Sequence, residues 1–263
     1  YALYTTLKEI GLDPKIVRYK GGECRNSQME YHLFRIKRAL GKKYHALIDP
    51  KPEPLAIEVK NKIIRREKMF SVFSQSYMSF WNEERVSWQQ LRKAYPVCDY
   101  YVCGSDQIWN VTAKDCDPIF FLPGKQSYKK IAYATSVNTA TYNEDICNDQ
   151  LRKNILDFDY ISIREHSGAE KISCFLNTDK QVKVQPDPSL LQTKEVFAAI
   201  ASKRIVENSY IFMYCANYQE STIRAAQKVS KLLNKPVYTV IVSRSATQIE
   251  KLKKSGINII RDK

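Results

Sequence analysis

The spacing of apolar segments in this 263-residue chain constrains its fold more than any other feature of the sequence. From residue 97 onward, short runs rich in β-branched, aromatic and cysteine residues alternate with segments that are apolar at helical spacing. This alternation predicts strands joined by helices in right-handed βαβ units, and therefore parallel sheets. We expect an α/β fold made of two Rossmann-like, doubly wound lobes.

The predicted strands and helices follow this alternation along both lobes. In the first lobe we predict strands at 15–19, 97–103, 130–137, 160–163 and 181–185, and helices at 1–10, 87–95, 144–156 and 167–175. In the second lobe we predict strands at 210–215, 236–242 and from 257 onward, and helices at 221–233 and 246–254. The strand at 210–215 is so uniformly apolar that we expect it inside a parallel sheet.

A turn around Asp187 is predicted to end the first lobe, because Pro186 and Pro188 restrict the backbone on either side of it. We assign residues 1–192 to an N-terminal lobe with a basic insertion at about 30–80, and residues 205–263 to the start of a C-terminal lobe. The chain begins inside an apparent helix and stops soon after the last predicted strand starts. We therefore expect missing pieces at both ends and a truncated second lobe.

The composition is typical of a globular protein from a reducing compartment. Apolar residues make up 44% of the chain, which is enough for two packed cores, and no apolar run approaches the roughly 20 residues of a membrane-spanning helix. The seven cysteines form an odd set without a C-x-x-C pair, which favours a cytoplasmic location. Cys98 and Cys103 point to opposite faces of their predicted strand, and we expect no metal site.

The net charge of +14 is concentrated in one stretch of the chain. Residues 35–68 contain eleven Lys and Arg against four Asp and Glu, a net charge of +7. The basic side chains of the predicted helix there fall on several faces, which favours a solvated surface helix. The functional alternative is an insertion that attracts an anionic glycan carrier or holds the protein peripherally at the anionic inner membrane face. We expect no nucleic-acid partner, and the sequence leaves the oligomeric state open.

Polar residues after three predicted strands form the candidate sites, because ligands of open α/β sheets bind at the carboxyl ends of strands. The first group comprises Gly104, Ser105, Asp106, Gln107, Trp109 and Asn110. Gly104 permits close approach of a ligand or another backbone, Asp106 offers a carboxylate, and Trp109 offers a flat face for a sugar ring. The alternative is a strand-to-helix turn capped by Ser105 or Asp106, with Trp109 in the core.

The other two groups follow the strands at 160–163 and 130–137. Arg164 suits a forked contact with a carboxylate or phosphate, and Glu165 either holds it in place or serves as an acid. The alternative for this pair is a structural ion pair. Ser136 ends the other strand, where it is suited to line a pocket floor. We expect Asp106 and Arg164 to emerge at the same edge of one sheet and to face a shared cleft.

Several ordered segments together resemble the polysaccharide pyruvyl transferase family over about residues 1–192. They are Tyr1-Ala2-Leu3, Asp99-Tyr100, the Gly-Ser-Asp-Gln-Ile-Trp-Asn run at 104–110, and the segments 130–136, 161–165 and 187–191. The resemblance implies a glycosyltransferase-B-like fold with an acceptor-side N-terminal lobe and a donor-side C-terminal lobe. It also implies transfer of pyruvate from phosphoenolpyruvate, with no further cofactor, to a glycan or lipid-linked sugar acceptor, forming a ketal.

The same resemblance implies roles for the candidate residues. Asp106 is the candidate base or hydroxyl-orienting group, and Arg164, with Glu165 beside it, is the candidate donor contact. The residues expected to line the acceptor side are Gly104, Ser105, Gln107, Trp109, Asn110 and Ser136. A glycine-rich turn and a histidine-containing donor segment of the family have no counterpart here, so we expect the fragment to be inactive.

Two other functions fit the sequence. A nucleotide-sugar glycosyltransferase shares the two-lobe architecture, and it would be stabilised by nucleotide sugars in preference to phosphoenolpyruvate. A basic module for polyanions, without enzymatic activity, would show steeply salt-dependent binding.

Overall fold

A computed structural model describes residues 1–21, 57–91, 93–111, 113, 116–122, 128–137, 139, 149–215, 218–240 and 246–260. The first part of the predicted basic insertion and the start of the predicted helix at 144–156 lie outside the described residues. The chain divides into two compact units, one of Tyr1–Gly41 with Tyr77–Ala199 and one of Lys42–Ser76 with Ile200–Lys263. Within the described ranges, no helix is long and apolar enough to span a membrane.

The helices and strands alternate along most of the described chain. The helices are α1 Ala2–Glu9, α2 Ile57–Tyr77, α3 Trp88–Leu91, α4 Asp149–Leu156, α5 His166–Leu176, α6 Lys194–Ile200, α7 Glu220–Leu233 and α8 Ala246–Lys254. The strands are β1 Tyr100–Cys103, β2 Lys129–Thr135, β3 Tyr160–Ile163, β4 Val182–Val184, β5 Ile211–Met213, β6 Val237–Thr239 and β7 Asn258–Ile259. Short 3-10 turns cover Pro118–Phe121 and Pro188–Leu191.

The first unit contains a four-stranded parallel sheet in the order β1-β2-β3-β4. Tyr101 lies opposite Lys130, Ala132 lies opposite Ile161, and Ile161 lies opposite Val182. Because parallel strands run in one direction, their carboxyl ends lie at a common edge of the sheet. This edge brings together the segments that follow the four strands, and it carries the candidate site.

Helices α4 and α5 cover one face of this sheet. Ile155 of α4 and Ile172 of α5 are fully buried in the same core as Tyr101 and Ile161. Successive side chains of a strand point to opposite faces, and Tyr100, next to Tyr101, is accordingly exposed. The apolar face of the sheet therefore holds the strand ends in fixed positions below the candidate site.

The second unit contains a three-stranded parallel sheet in the order β5-β6-β7. Ile223 of α7 and Leu252 of α8 pack with Met213 and Val237 in one core, so both helices cover the same face. Phe212 points to the opposite face and is 51% exposed. The strand was expected inside a parallel sheet; among the described strands it lies at the edge of one, and α7 and α8 both pack on its Met213 side.

The predicted fold class is confirmed as α/β with parallel sheets. The observed β3 and α8 coincide with the predicted ranges, whereas β1 begins at Tyr100 because Val97 lies fully exposed outside the sheet. Both sheets follow chain order, and double winding requires a reversal of strand order. Double winding, the two-lobe arrangement and the lobe boundaries therefore stay predictions.

Gly104 follows β1 at a point where two backbones meet. Its φ angle is +135°, which residues with a side chain rarely adopt, and its peptide bond to Ser105 is cis. A Cβ atom at this position would lie 2.0 Å from the carbonyl oxygen of Tyr133 in β2. The close approach that glycine permits here is therefore that of a neighbouring backbone.

We predict that Gly104→Ala lowers the free energy of unfolding of the first unit by about 3 kcal/mol or more, since it adds an overlap to an unfavourable φ angle. The matched control is Gly11→Ala, because Gly11 also has a positive φ angle of 86° but open space around its Cβ position. That control should lose only about 1 to 2 kcal/mol. Urea unfolding followed by tryptophan fluorescence measures the difference, since all three tryptophans (81, 88 and 109) lie in this unit. Equal losses in the two variants would contradict the overlap.

Candidate functional site

The segments after β1 and β3 are both tied to the end of β2. Asp106 forms a parallel bridge with Thr135, and its carbonyl oxygen accepts a hydrogen bond from the Ser136 backbone nitrogen at 2.9 Å. On the other side, the backbone nitrogen of Arg164 donates to the carbonyl oxygen of Thr135 at 2.9 Å. Asp106 and Arg164 therefore emerge at the same edge of one sheet, as the sequence predicts. The shared cleft stays a prediction.

Five side chains at this edge form one continuous hydrogen-bonded chain, which we call the edge network. Ser105 Oγ donates to Asp187 Oδ2 at 2.8 Å, and Arg164 Nη1 donates to the same oxygen at 3.0 Å. Arg164 Nε donates to Glu165 Oε1 at 2.9 Å, and Ser136 Oγ donates to that oxygen at 2.9 Å. The network thus joins the segments after all four strands of the first sheet.

Asp187 is the residue with the most hydrogen bonds in the edge network. Its Oδ1 accepts from the Ser189 backbone nitrogen at 3.0 Å and from Ser189 Oγ at 2.8 Å, in addition to the two donors on Oδ2. Partial burial alone would raise the pKa of this carboxyl, but the hydrogen bonds from Ser189, Ser105 and Arg164 outweigh burial and hold the pKa well below its usual range. Asp187 is therefore ionised near neutral pH and acts only as an acceptor.

Arg164 lies between the two carboxylates, and 28% of its side chain is exposed. The hydrogen bond to Glu165 is the main influence that raises the pKa of the guanidinium, and Asp187 adds to it. Two of its three nitrogens are engaged by carboxylates of the same chain. Among the described residues, Nη2 makes no hydrogen bond, so it is the nitrogen left to meet a ligand. The contacts resemble the structural ion pair that the sequence also allowed.

Glu165 precedes α5 and directs one carboxylate oxygen to Arg164 and Ser136. Its side chain makes no capping hydrogen bond to the helix. The other oxygen, Oε2, is buried and has no hydrogen-bond partner in the described structure. The hydrogen bond from Arg164 Nε to Oε1 fits the holding role for Glu165.

Asp106 lies beside the edge network with an exposed side chain. Its φ angle of 74° is a left-handed conformation that aspartate tolerates better than most residues. Its Oδ1 accepts from the backbone nitrogen of Gln107 at 2.8 Å. The chain forms a turn here rather than a helix, with the Asn110 nitrogen donating to the Gln107 carbonyl oxygen. Asp106 thus presents its carboxylate at the edge of the sheet.

Trp109 is a core residue and offers no face to a sugar. It is 0% exposed, stacks on Phe121 at 5.5 Å between ring centroids, and meets the edge of Phe158 at 5.3 Å. Its Nε1 donates to the carbonyl oxygen of Phe120 at 2.9 Å. Of the two interpretations of Trp109, the structure supports the core one. Its burial anchors the turn that carries the polar residues 105–107.

Comparison with known protein families identifies the family of this chain. The sequence model of polysaccharide pyruvyl transferase matches residues 1–261. The chain belongs to the polysaccharide pyruvyl transferase family. The match covers the second unit as well, beyond the 1–192 range in which the sequence motifs lie. No curated protein and no solved structure matches this pyruvyl transferase family member significantly.

Two residues within the quoted segments 130–136 and 187–191 of this pyruvyl transferase family member were not predicted to belong to the site. Asp187 was interpreted as a turn residue, although it follows a predicted strand and the rule for strand ends applies to it as well. Tyr133 is the second of these residues. Burial is the main cause that raises the pKa of its hydroxyl, and the negative charge of Asp187 adds to it.

In the described ranges no cluster of three or more His, Cys, Asp or Glu is placed to hold a metal. That a metal is not required stays a prediction.

We predict that the edge network makes the stability of the first unit depend on pH through Asp187. Because the folded-state pKa is lowered, the contribution of this carboxylate is fully present above its unfolded pKa of about 3.9 and is lost as the pH falls below that value. Asp187→Asn should therefore reduce the unfolding free energy at pH 6, and the difference from the unchanged protein should shrink as the pH falls below about 4.

Tryptophan fluorescence in urea at several pH values measures this difference. The control is Asp179→Asn, which changes an exposed aspartate at the opposite end of β4 and should leave the pH profile unchanged. A loss from Asp187→Asn that is the same at every pH would contradict the prediction.

Proposed function

We propose that this protein transfers the pyruvyl group of phosphoenolpyruvate to two hydroxyls of a sugar in a surface or exopolysaccharide glycan. The family match over nearly the whole chain carries the proposal. The polar groups at the sheet edge support it, because hydroxyls and carboxylates suit a polyol substrate. The acceptor is either the glycan itself or its lipid-linked precursor.

The reaction places defined demands on the site. Both sugar oxygens bond to the second carbon of the pyruvyl unit, the bond from that carbon to the phosphate oxygen breaks, and phosphate leaves. One sugar proton goes to the methylene carbon, which becomes a methyl group, and the other proton leaves with phosphate. Catalysis thus needs a base for a sugar hydroxyl, a proton source for the methylene carbon, and cations for the donor's charges.

Asp106 is the group we assign as the base or hydroxyl-orienting carboxylate. It is exposed at the carboxyl edge, and within the described residues its side chain accepts one hydrogen bond, from the adjacent Gln107 backbone nitrogen. A carboxylate with one oxygen open to solvent is suited to accept a proton from a bound hydroxyl. The side chains proposed beside it on the acceptor side are Ser105, Gln107, Asn110 and Ser136, with Gly104 shaping the backbone below them.

Arg164 was expected to contact the donor, and its geometry supports a narrower role. Its charge is balanced by Glu165 and Asp187, and only Nη2 is left for a ligand among the described residues. We therefore propose that Arg164 mainly organises the edge and that other cations bind most of the donor's phosphate and carboxylate charge. We place these cations in the C-terminal lobe, with the acceptor in the N-terminal lobe at 1–192.

The wider arrangement belongs to the same proposal. We propose a glycosyltransferase-B-like pair of lobes, with residues 205–263 starting the donor lobe. We also propose that the protein works in the cytoplasm, where phosphoenolpyruvate is available. The basic stretch at 35–68 would bring it to an anionic membrane surface that carries a lipid-linked acceptor.

We predict that, in the full-length protein, Asp106→Asn lowers the rate of phosphate release from phosphoenolpyruvate in the presence of a glycan acceptor at least about a hundredfold, because the amide cannot accept the hydroxyl proton. Asp179→Asn is the matched control, since it removes an exposed carboxylate at the other end of the sheet and should retain full activity. An unchanged rate in Asp106→Asn would remove this carboxylate from the mechanism. Turnover of a nucleotide sugar in place of phosphoenolpyruvate would reject the pyruvyl transfer itself.

A further inference from the structure

The hydrogen bonds of the edge network decide which polarity its hydroxyls present to a ligand. A serine hydroxyl has one proton to donate and two lone pairs that accept. Ser105 Oγ lies 2.8 Å from Asp187 Oδ2, and an ionised carboxylate only accepts, so the Ser105 proton is directed to Asp187. The remaining capacity of Ser105 Oγ is that of an acceptor.

The same arrangement occurs on the other side of Arg164. Ser136 Oγ lies 2.9 Å from Glu165 Oε1, so the proton of this hydroxyl is also directed to a carboxylate. The proton of each serine is therefore directed to a carboxylate, but Ser136 is 3% exposed, so the half-buried Ser105 is the serine that presents an acceptor oxygen to a ligand. Groups that donate hydrogen bonds match this oxygen, and sugar hydroxyls are such groups.

The charge of this edge favours a neutral ligand. The edge network contains one cation, Arg164, against two carboxylates, and the carboxylate of Asp106 lies next to it. Among the residues that the structure describes at this edge, the excess of negative charge disfavours phosphate or carboxylate groups. An uncharged sugar meets both requirements, because its hydroxyls donate hydrogen bonds and it adds no negative charge.

We propose that Asp187 is a positioning residue that makes Ser105 a hydrogen-bond acceptor for a hydroxyl of a neutral sugar. This inference rests on the proposed function. It names the class of the acceptor substrate, a neutral sugar, and the residues that bind one of its hydroxyls. Asp187 accepts four hydrogen bonds and donates none. An amide at position 187 must turn its NH2 group either toward the Ser189 backbone N–H or toward the donors Ser105 and Arg164. In the second case Ser105 accepts a hydrogen bond from the amide, and its own proton then points to the ligand. Ser105 would then face the ligand as a donor instead of an acceptor.

A double-mutant cycle on the full chain tests this coupling, because residues that act as a unit have non-additive effects. The probe is a set of neutral methyl hexopyranosides, whose binding is titrated by ligand-detected nuclear magnetic resonance. Ser105→Ala and Asp187→Asn should each weaken the affinity about five- to tenfold, the value of one hydrogen bond. The double variant should be no weaker than either single variant, since Asp187 acts through Ser105.

Ser189→Ala is the matched control for this cycle. Ser189 Oγ also donates to Asp187 at 2.8 Å, but to the other oxygen, so its removal should change the affinity less than about twofold. Inorganic phosphate should not displace the sugar. If Asp187→Asn does not fold, Asp187→Ala, which also removes the acceptor of the Ser105 proton, replaces it in the cycle with the same expected non-additivity.

Three results would overturn the proposal: additive losses in the double variant, displacement of the sugar by phosphate, or no binding of any of these glycosides. None of these measurements uses phosphoenolpyruvate. A protein that binds the sugars with the expected coupling but releases no phosphate from phosphoenolpyruvate would therefore reject the proposed reaction and leave this inference standing.

Discussion

The guanidinium of Arg164 is the interaction on which the carboxyl edge of the first sheet depends. It forms ion pairs with Glu165 in its own segment and with Asp187 in the segment after β4. Asp187 accepts a hydrogen bond from the Ser105 hydroxyl, and Glu165 accepts one from the Ser136 hydroxyl. Removing this cation would leave two carboxylates beside each other in a partly buried setting, which is far more costly than losing an exposed ion pair. The remaining side chains of the edge are positioned around this one charge.

This arrangement separates two tasks that a transferase has to perform. Cations that bind an anionic donor must keep their charge available, whereas the charge of Arg164 is balanced by the carboxylates of Glu165 and Asp187. The edge thus presents acceptor oxygens and an excess of negative charge, which suits the hydroxyls of a sugar. In the proposed reaction, the exposed Asp106 carboxylate removes or orients the proton of a bound hydroxyl. In the proposed enzyme, the donor's charges are bound by other residues.

Local sequence patterns predicted where the strands lie better than they predicted which side chains are exposed. The apolar run of β3 was located correctly, because a short buried strand bounded by polar residues has a distinctive pattern. The equally apolar run around β5 suggested a strand inside a parallel sheet, yet among the described strands β5 lies at the edge of its sheet, and Phe212 and Tyr214 are 51% and 68% exposed. Which face a helix covers depends on the handedness and order of crossovers, and these do not appear in the residues of one strand. Trp109 shows the same limit, since a tryptophan suits either a core or a sugar site.

The sequence by itself determined that polar groups follow β1, β2 and β3, and parallel strands then require Asp106, Ser136 and Arg164 to meet at one edge. Only the tertiary structure decided which groups bond to each other. Ser105 finds its partner 82 residues away at Asp187, a residue that looks like part of a proline turn in the sequence. The reason is that hydrogen-bond partners depend on distances of a few tenths of an ångström, which follow from the register of all four strands together and not from any segment alone.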